Sequence, residues 1–270
     1  MSSLPTAGPD RTGALPPGTT LDDFLGGRIH AVQPKQGHRT GSDAVWLQAA
    51  VPARAGERVL DAGAGVGVAG LCLLARAPEI EMTAIEIDPG LCALAEANAA
   101  RNGLSARFKA IDADVTSPAE GLFARGVMRE GYDQVMANPP YHRAGTVRPA
   151  PDLARTAAHV MQEGALEAWI RFLATMAAPS GRLTLIHQPQ ALPELLALLE
   201  RRFGGVAIFP LFPKVGEPAT RVIVQAEKGS RAPLRLLPGL VLHEVDGRYT
   251  AKAEAVLRAG AALELGGERK

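Results

Sequence analysis

Residues 58–67 read Arg58-Val59-Leu60-Asp61-Ala62-Gly63-Ala64-Gly65-Val66-Gly67. A short Val/Leu run ends in a turn with three glycines, and an Ala- and Leu-rich stretch follows to about Arg76. That order predicts a strand, a tight turn and a helix. In such a turn backbone N–H groups are expected to face a ligand, and Gly lets the backbone approach it closely. A dinucleotide fingerprint, Gly-x-Gly-x-x-Gly, counted from Gly63 and Gly65, needs glycine at position 68, which is Val68; the third glycine is Gly67. Asp61 closes the strand. A carboxylate there repels a pyrophosphate and attracts an ammonium group, so it favours a ligand with an amino-acid end.

The alternation continues downstream. Glu81–Glu86 is a second strand, and Pro89 opens a helix that stops near Asn102-Gly103. Arg107–Ile111 and Tyr132–Ala137 are the third and fourth strands. A long helix is expected over about Asp152–Met176, a fifth strand over Arg182–Ile186 and a helix over Leu192–Arg202. Val206–Pro210 and Thr220–Glu227 have no helical period between them, which predicts an antiparallel edge hairpin. The fold class is α/β, a mainly parallel sheet with helices on both faces. Upstream, residues 1–20 are rich in Pro, Gly, Ser and Thr and are expected to be a flexible leader. Residues 21–56 form a hairpin and a helix from about Ser42 to Ala50, residues 57–230 the main domain, and 231–270 an extension ending in an amphipathic helix, about Ala251–Ala262.

Lys and Arg total 29 against 28 Asp and Glu, a formal net charge of +1, which argues against a polybasic binder but leaves room for a local basic face. The two cysteines, Cys72 and Cys92, fall inside expected helices and exclude a disulfide scaffold. The sequence has no apolar window long enough to span a membrane and no secretory pattern at its start, so a cytoplasmic protein is expected.

Carboxylates recur at successive strand ends. Glu86 ends the second strand, where an acid suits both hydroxyls of a ribose. Asp112 and Asp114 follow the third, and Asp114 is the candidate acceptor for an adenine amino group; singly, each also reads as a cap. Asn138-Pro139-Pro140-Tyr141 follows the fourth strand. An exocyclic or amide nitrogen is a poor nucleophile because its lone pair is delocalised. The Asn138 side-chain oxygen and the Pro139 carbonyl can each accept one N–H, drawing that nitrogen toward tetrahedral geometry. The prolines fix φ and lack N–H groups, and Tyr141 offers a face on which a planar substrate can stack.

Taken together, Asp61 to Gly67, Glu86, Asp114 and Asn138 to Tyr141 resemble the S-adenosylmethionine-dependent methyltransferases with a seven-stranded Rossmann-like sheet, in particular amino-group methyltransferases with an Asn-Pro-Pro-Tyr loop. Three flanking strings, Phe24-Leu25-Gly26-Gly27-Arg28, Gln33 to Ala44 and Lys228 to Leu234, resemble the bacterial tRNA(Val) adenine-N6 methyltransferases. The resemblance implies S-adenosylmethionine as cofactor, held by Asp61, Gly63, Gly65, Glu86 and Asp114 and lined from above by Arg39, Thr40 and Gly41. It implies Asn138, Pro139 and Tyr141 as the catalytic set and RNA, most specifically tRNA beside the anticodon, as substrate. Lys35 and Arg143 are candidate RNA contacts, with Arg39 as a further phosphate anchor. His30, His38, His142, Arg148 and Arg155 are other basic residues near the loop or before the core. Such a reaction needs no metal. Alternatives are methylation of a glutamine amide in a translation factor, a guanine-N2 RNA methyltransferase, or a non-catalytic scaffold.

Overall fold

The computed structural model describes residues 15–37, 39–118, 120–140, 142–143, 160–161 and 164–265. It opens on a hairpin, β1 (Thr19–Phe24) and β2 (Ile29–Pro34), followed by α1 (Ser42–Ala50). Next come β3 (Arg58–Ala62), α2 (Val68–Arg76), β4 (Glu81–Glu86), α3 (Pro89–Arg101), β5 (Phe108–Asp112), α4 (Glu120–Phe123) and β6 (Tyr132–Ala137). Two short strands, β7 (His142–Arg143) and β8 (Val160–Met161), pair with each other. The chain continues through α5 (Ala165–Met176), β9 (Ala177–His187), α6 (Leu192–Leu199), β10 (Phe203–Phe212) and β11 (Arg221–Lys228). It then adds β12 (Arg235–Leu236), β13 (Leu240–Val241) and α7 (Ala251–Ala259).

The central sheet has the order β12-β10-β11-β9-β6-β3-β4-β5, with β13 also on β10. Strands β9, β6, β3, β4 and β5 are parallel to their neighbours in that set, and β11 runs antiparallel between β9 and β10. The strands carry near-continuous apolar runs because both faces are covered. On β3, Val59 faces the core beneath α1, α2 and α3 and Leu60 the core beneath α5 and α6; on β6, Met136 and Val135 divide the same way. From β3 the chain moves outward to β4 and β5, then returns to place β6 on the other side of β3. The carboxyl ends of β3 and β6 therefore flank the switch point where an open α/β sheet leaves a crevice.

The hairpin is docked by side chains that imitate a strand. On α3, Asn98 accepts from Val32 N–H (2.8 Å) and donates to its carbonyl (3.1 Å), and Asn102 does the same for His30 (2.9 and 2.7 Å). Spaced i, i+4, the two amides share one helix face and satisfy the edge of β2. Arg28 donates to the carbonyl of Ala75 at the end of α2 (2.8 Å) and of Ala259 at the end of α7 (3.0 Å), a cation on two helix C-termini. At Gly26, φ is +65° and a Cβ would stand 2.9 Å from the Arg258 carbonyl oxygen. The Phe24 to Arg28 string thus ties the last helix to the first hairpin.

Four expectations change. Strand β1 begins at Thr19, inside the segment expected to be a leader, whose residues 1–14 lie outside the described residues. Of the long helix expected over about Asp152–Met176, residues 152–159 lie outside the described residues, and Ala165–Met176 is helical. Gly164 before it has φ +82°, which an α-helix cannot pass through, and Val160–Met161 is extended. The helix from Leu192 ends at Leu199 rather than Arg202. Among the described residues the sheet holds the seven expected strands, and β12 and β13 each add two residues to β10 beyond the expected hairpin. Both cysteines are buried free thiols, and burial holds the Cys72 thiol far above its ordinary pKa. No described helix is long and apolar enough to cross a membrane.

Candidate active site

Strand register builds the site. Ala62 on β3 pairs with Ile85 on β4 and with Ala137 on β6, so Gly63 follows at the level of Glu86 on one side and Asn138 on the other. Glu86 pairs in turn with Asp112 on β5. Asn138, Gly63, Glu86 and Asp112 thus form one row across four parallel strand ends, with Asp114 two residues beyond.

The Gly-rich turn is held from within. Gly63 and Ala64 N–H both donate to the Ile85 carbonyl (2.8 and 3.0 Å), Gly65 N–H to Glu86 Oε2 (2.7 Å) and Gly67 N–H to the Ala64 carbonyl (2.9 Å). The expectation that these N–H groups face a ligand is corrected: they fold the turn and fasten it to β4. A Cβ on Gly63, where φ is +69°, would lie 2.4 Å from the Trp169 ring on α5. Gly63→Ala is therefore expected to cost about 2–4 kcal/mol, combining left-handed backbone with overpacking against a large ring. A denaturant melt should show a lower midpoint at unchanged slope, and an unshifted midpoint would mean that Trp169 yields without cost.

Glu86 is buried, and its second oxygen accepts from Asp88 N–H (3.0 Å). Two backbone donors thus aim the carboxylate, and each oxygen keeps a lone pair for a further donor. Asp61 is buried on β3, and its Oδ2 has no hydrogen-bond partner among the described residues. Burial, with the negative Glu86 nearby, pushes its pKa up to about 8 against the lowering effect of the Gly70 N–H. A half-satisfied buried carboxyl of this kind calls for a cation. Asp114 behaves as a turn cap: it accepts from Thr116 N–H and Oγ1 (both 2.7 Å) and from Ser117 Oγ (3.2 Å).

Above the turn, Gln33 holds Thr40 through both backbone groups: Thr40 N–H donates to its Oε1 (2.8 Å), and its Nε2 donates to the Thr40 carbonyl (3.3 Å). This sets the Thr40 hydroxyl 3.8 Å from where a Cβ on Gly65 would stand. Gly41 caps α1. Arg39 does not reach outward: its guanidinium donates to Asp22 (2.7 Å), Thr20 (2.9 Å) and the Pro34 carbonyl (3.1 Å). Lys35 is exposed at the end of β2. Asn138 is partly exposed and Pro139 buried. Tyr141, His38, Arg148 and Arg155 lie outside the described residues, as do the side chains of His142 and Arg143.

Two neighbours escaped the sequence reading. Ile87, 62% exposed, follows Glu86 directly and offers an apolar surface at the crevice mouth. His187 ends β9, two residues past Leu185, the register partner of Ala137. Burial lowers its pKa, and its Nδ1 accepts from Gln188 N–H (2.9 Å), so the ring is neutral with its proton on Nε2. A hydrophobic residue after a strand-end acid, and a histidine at the fifth strand's carboxyl end, were the available signals. Among the described residues no group of His, Cys, Asp or Glu could hold a metal ion.

A family model described as the methyltransferase small domain matches residues 40–204. The tRNA1(Val) (adenine(37)-N6)-methyltransferase of Aeromonas hydrophila is 27% identical over 228 residues, covering 83% of this chain and 90% of that protein. The protein of the same name from Porphyromonas gingivalis is 34% identical over 162 residues, 58% of this chain and 61% of the relative. Among solved structures, a protein of Agrobacterium tumefaciens described as a predicted O-methyltransferase superimposes with a TM-score of 0.70 at 31% identity, covering 82% of this chain and 98% of that one.

Proposed function

Because the chain belongs to the methyltransferase small-domain family, we propose that it is an S-adenosylmethionine-dependent N-methyltransferase that modifies the N6 amino group of an adenine in tRNA, next to the anticodon, in the cytoplasm. The observation that carries this reading is the row of Asn138, Gly63, Glu86 and Asp112 across the strand ends, with the half-satisfied Asp61 behind it. The residues fit the cofactor. Asp61 would hold the ammonium group, Glu86 the ribose hydroxyls, and Ile87 and Asp114 the adenine ring and its amino group. Thr40 and Gly41 would close the site from above. When bound, S-adenosylmethionine supplies a methyl group on a sulfonium, already activated toward a nitrogen.

This chain's own part is to present that nitrogen. Asn138 and the Pro139 carbonyl would each accept one N–H of the adenine amino group, and Tyr141 would stack on the base. Two acceptors match an NH2 group, whereas a hydroxyl has one hydrogen to give, so the loop favours nitrogen over oxygen transfer. Most of the rate would come from positioning and fixed electrostatics. Two relatives named as tRNA adenine-N6 methyltransferases support the substrate. The test is to incubate the protein with labelled S-adenosylmethionine and unmodified tRNA and to identify the nucleoside by mass spectrometry. N6-methyladenosine is expected; label in a release factor but not in RNA would make the amide reading correct.

A further inference from the structure

Helix α5 presents Ala168, Arg171, Phe172 and Thr175 along one side. Opposite them stand Val115 to Pro118, which leave β5, and Arg129 ahead of β6; between the two sides lies a cleft of about 300 Å³. It starts at the rim of the crevice, because Val115 follows Asp114 and because α5 also sets Trp169 against Gly63. No acidic side chain lines it among the described residues. The neighbouring Asp114 carboxylate is satisfied inside its own turn by Thr116 and Ser117. Arg129 and Arg171 are both exposed, and Arg129 lies 5.7 Å over the Phe123 ring. Among the described residues neither guanidinium is held in an ion pair.

We propose that this cleft is a phosphodiester subsite, holding the backbone of the RNA whose base enters the crevice. It rests on the RNA reading above and adds the track along which the strand lies. Two guanidinium forks match phosphate oxygens; among the described residues neither is in an ion pair, and Glu130, whose carboxylate feels Arg129, is held by Lys228 (2.8 Å). The cleft is open rather than enclosed, and its exposed lining is more polar than apolar even with Val115, Pro118, Ala168 and Phe172 along it, which suits a chain laid across it better than a small molecule sealed within it. It also supplies the phosphate contacts that Arg39, committed to Asp22, does not.

The test measures tRNA affinity of the full chain over a range of salt for the parent, Arg129→Ala, Arg171→Ala, the double variant and Arg171→Lys. Each alanine should lower the log–log salt slope by about 0.7–0.9 and weaken binding roughly five- to tenfold near 0.1 M salt. Arg171→Lys should keep the slope, and calorimetry should show unchanged S-adenosylmethionine affinity in all variants. A double variant with the parent's slope overturns the subsite, as does weakened binding at an unchanged slope, which would reveal only a structural effect. A parent that neither binds nor methylates tRNA overturns the RNA reading and this one with it, and that failure is visible in the parent alone.

Discussion

Asn138→Ala lowers kcat for methyl transfer by on the order of 10²–10³ or more and leaves cofactor affinity at the parent's value, the pattern for losing a group that acts in the transition state. Asn138 is the first residue beyond β6, level with Gly63 and partly exposed in the crevice. In the proposed site its oxygen accepts from the substrate amino group, whose nitrogen lone pair becomes available as the N–H groups are drawn out of the ring plane. That interaction strengthens as the nitrogen pyramidalises, so its loss falls on turnover rather than on binding. Single-turnover rates with saturating tRNA, beside calorimetry with S-adenosylhomocysteine, separate the two. Equal single-turnover rates in variant and parent would remove Asn138 from the chemistry.

Cofactor binding releases a proton below about pH 8, and affinity climbs by close to tenfold per pH unit as the pH rises toward that value. Burial and Glu86 hold Asp61 at a pKa of about 8, so near neutrality the carboxyl is mostly protonated in the free protein. An ammonium group placed against its unpartnered Oδ2 favours the ionised form and draws the pKa down. Calorimetry in buffers of different ionisation enthalpy should register the proton, and Asp61→Asn should flatten the pH dependence while weakening binding. Proton uptake, or a pH-independent affinity in the parent, would contradict the role. For the free protein the sign is opposite. The folded pKa lies above the ordinary carboxylate value, so Asp61's contribution to stability is full below about pH 4 and is lost as the pH rises through about 8.

The site was legible wherever a residue's position follows from the end of a strand. Glu81–Glu86 and Tyr132–Ala137 are strands with the bounds expected of them, so Glu86 and Asn138 came out at carboxyl ends. What the side chains do there was less legible. Asp114 reads as an adenine acceptor or, singly, as a cap; three hydrogen bonds within its own turn give it the cap's role and leave Oδ2 more lightly used for an adenine amino group. Arg39 was an expected phosphate anchor, and its partners Thr20, Asp22 and Pro34 come from a hairpin whose register the spacing does not reveal. Nothing in the sequence around Asn98 and Asn102 announces a tertiary role, yet they hold the edge of β2, and Asn98 also donates to the Val66 carbonyl in the Gly-rich turn (3.0 Å).

Local periodicity and turn chemistry act over a few residues, so the alternation of strands and helices, the parallel core and the strand-end acids follow from the residues alone. The register of Gly63 against Glu86 and Asn138 depends on pairing between segments far apart in the chain, and so do the Trp169 ring over Gly63 and the cleft between α5 and the β5 loop. The ionisation of Asp61 belongs with these. Its raised pKa comes from the solvent excluded by α2 and the neighbouring strands and from a carboxylate on β4. Burial and charge proximity are properties of the assembled sheet, and no stretch of sequence carries them by itself.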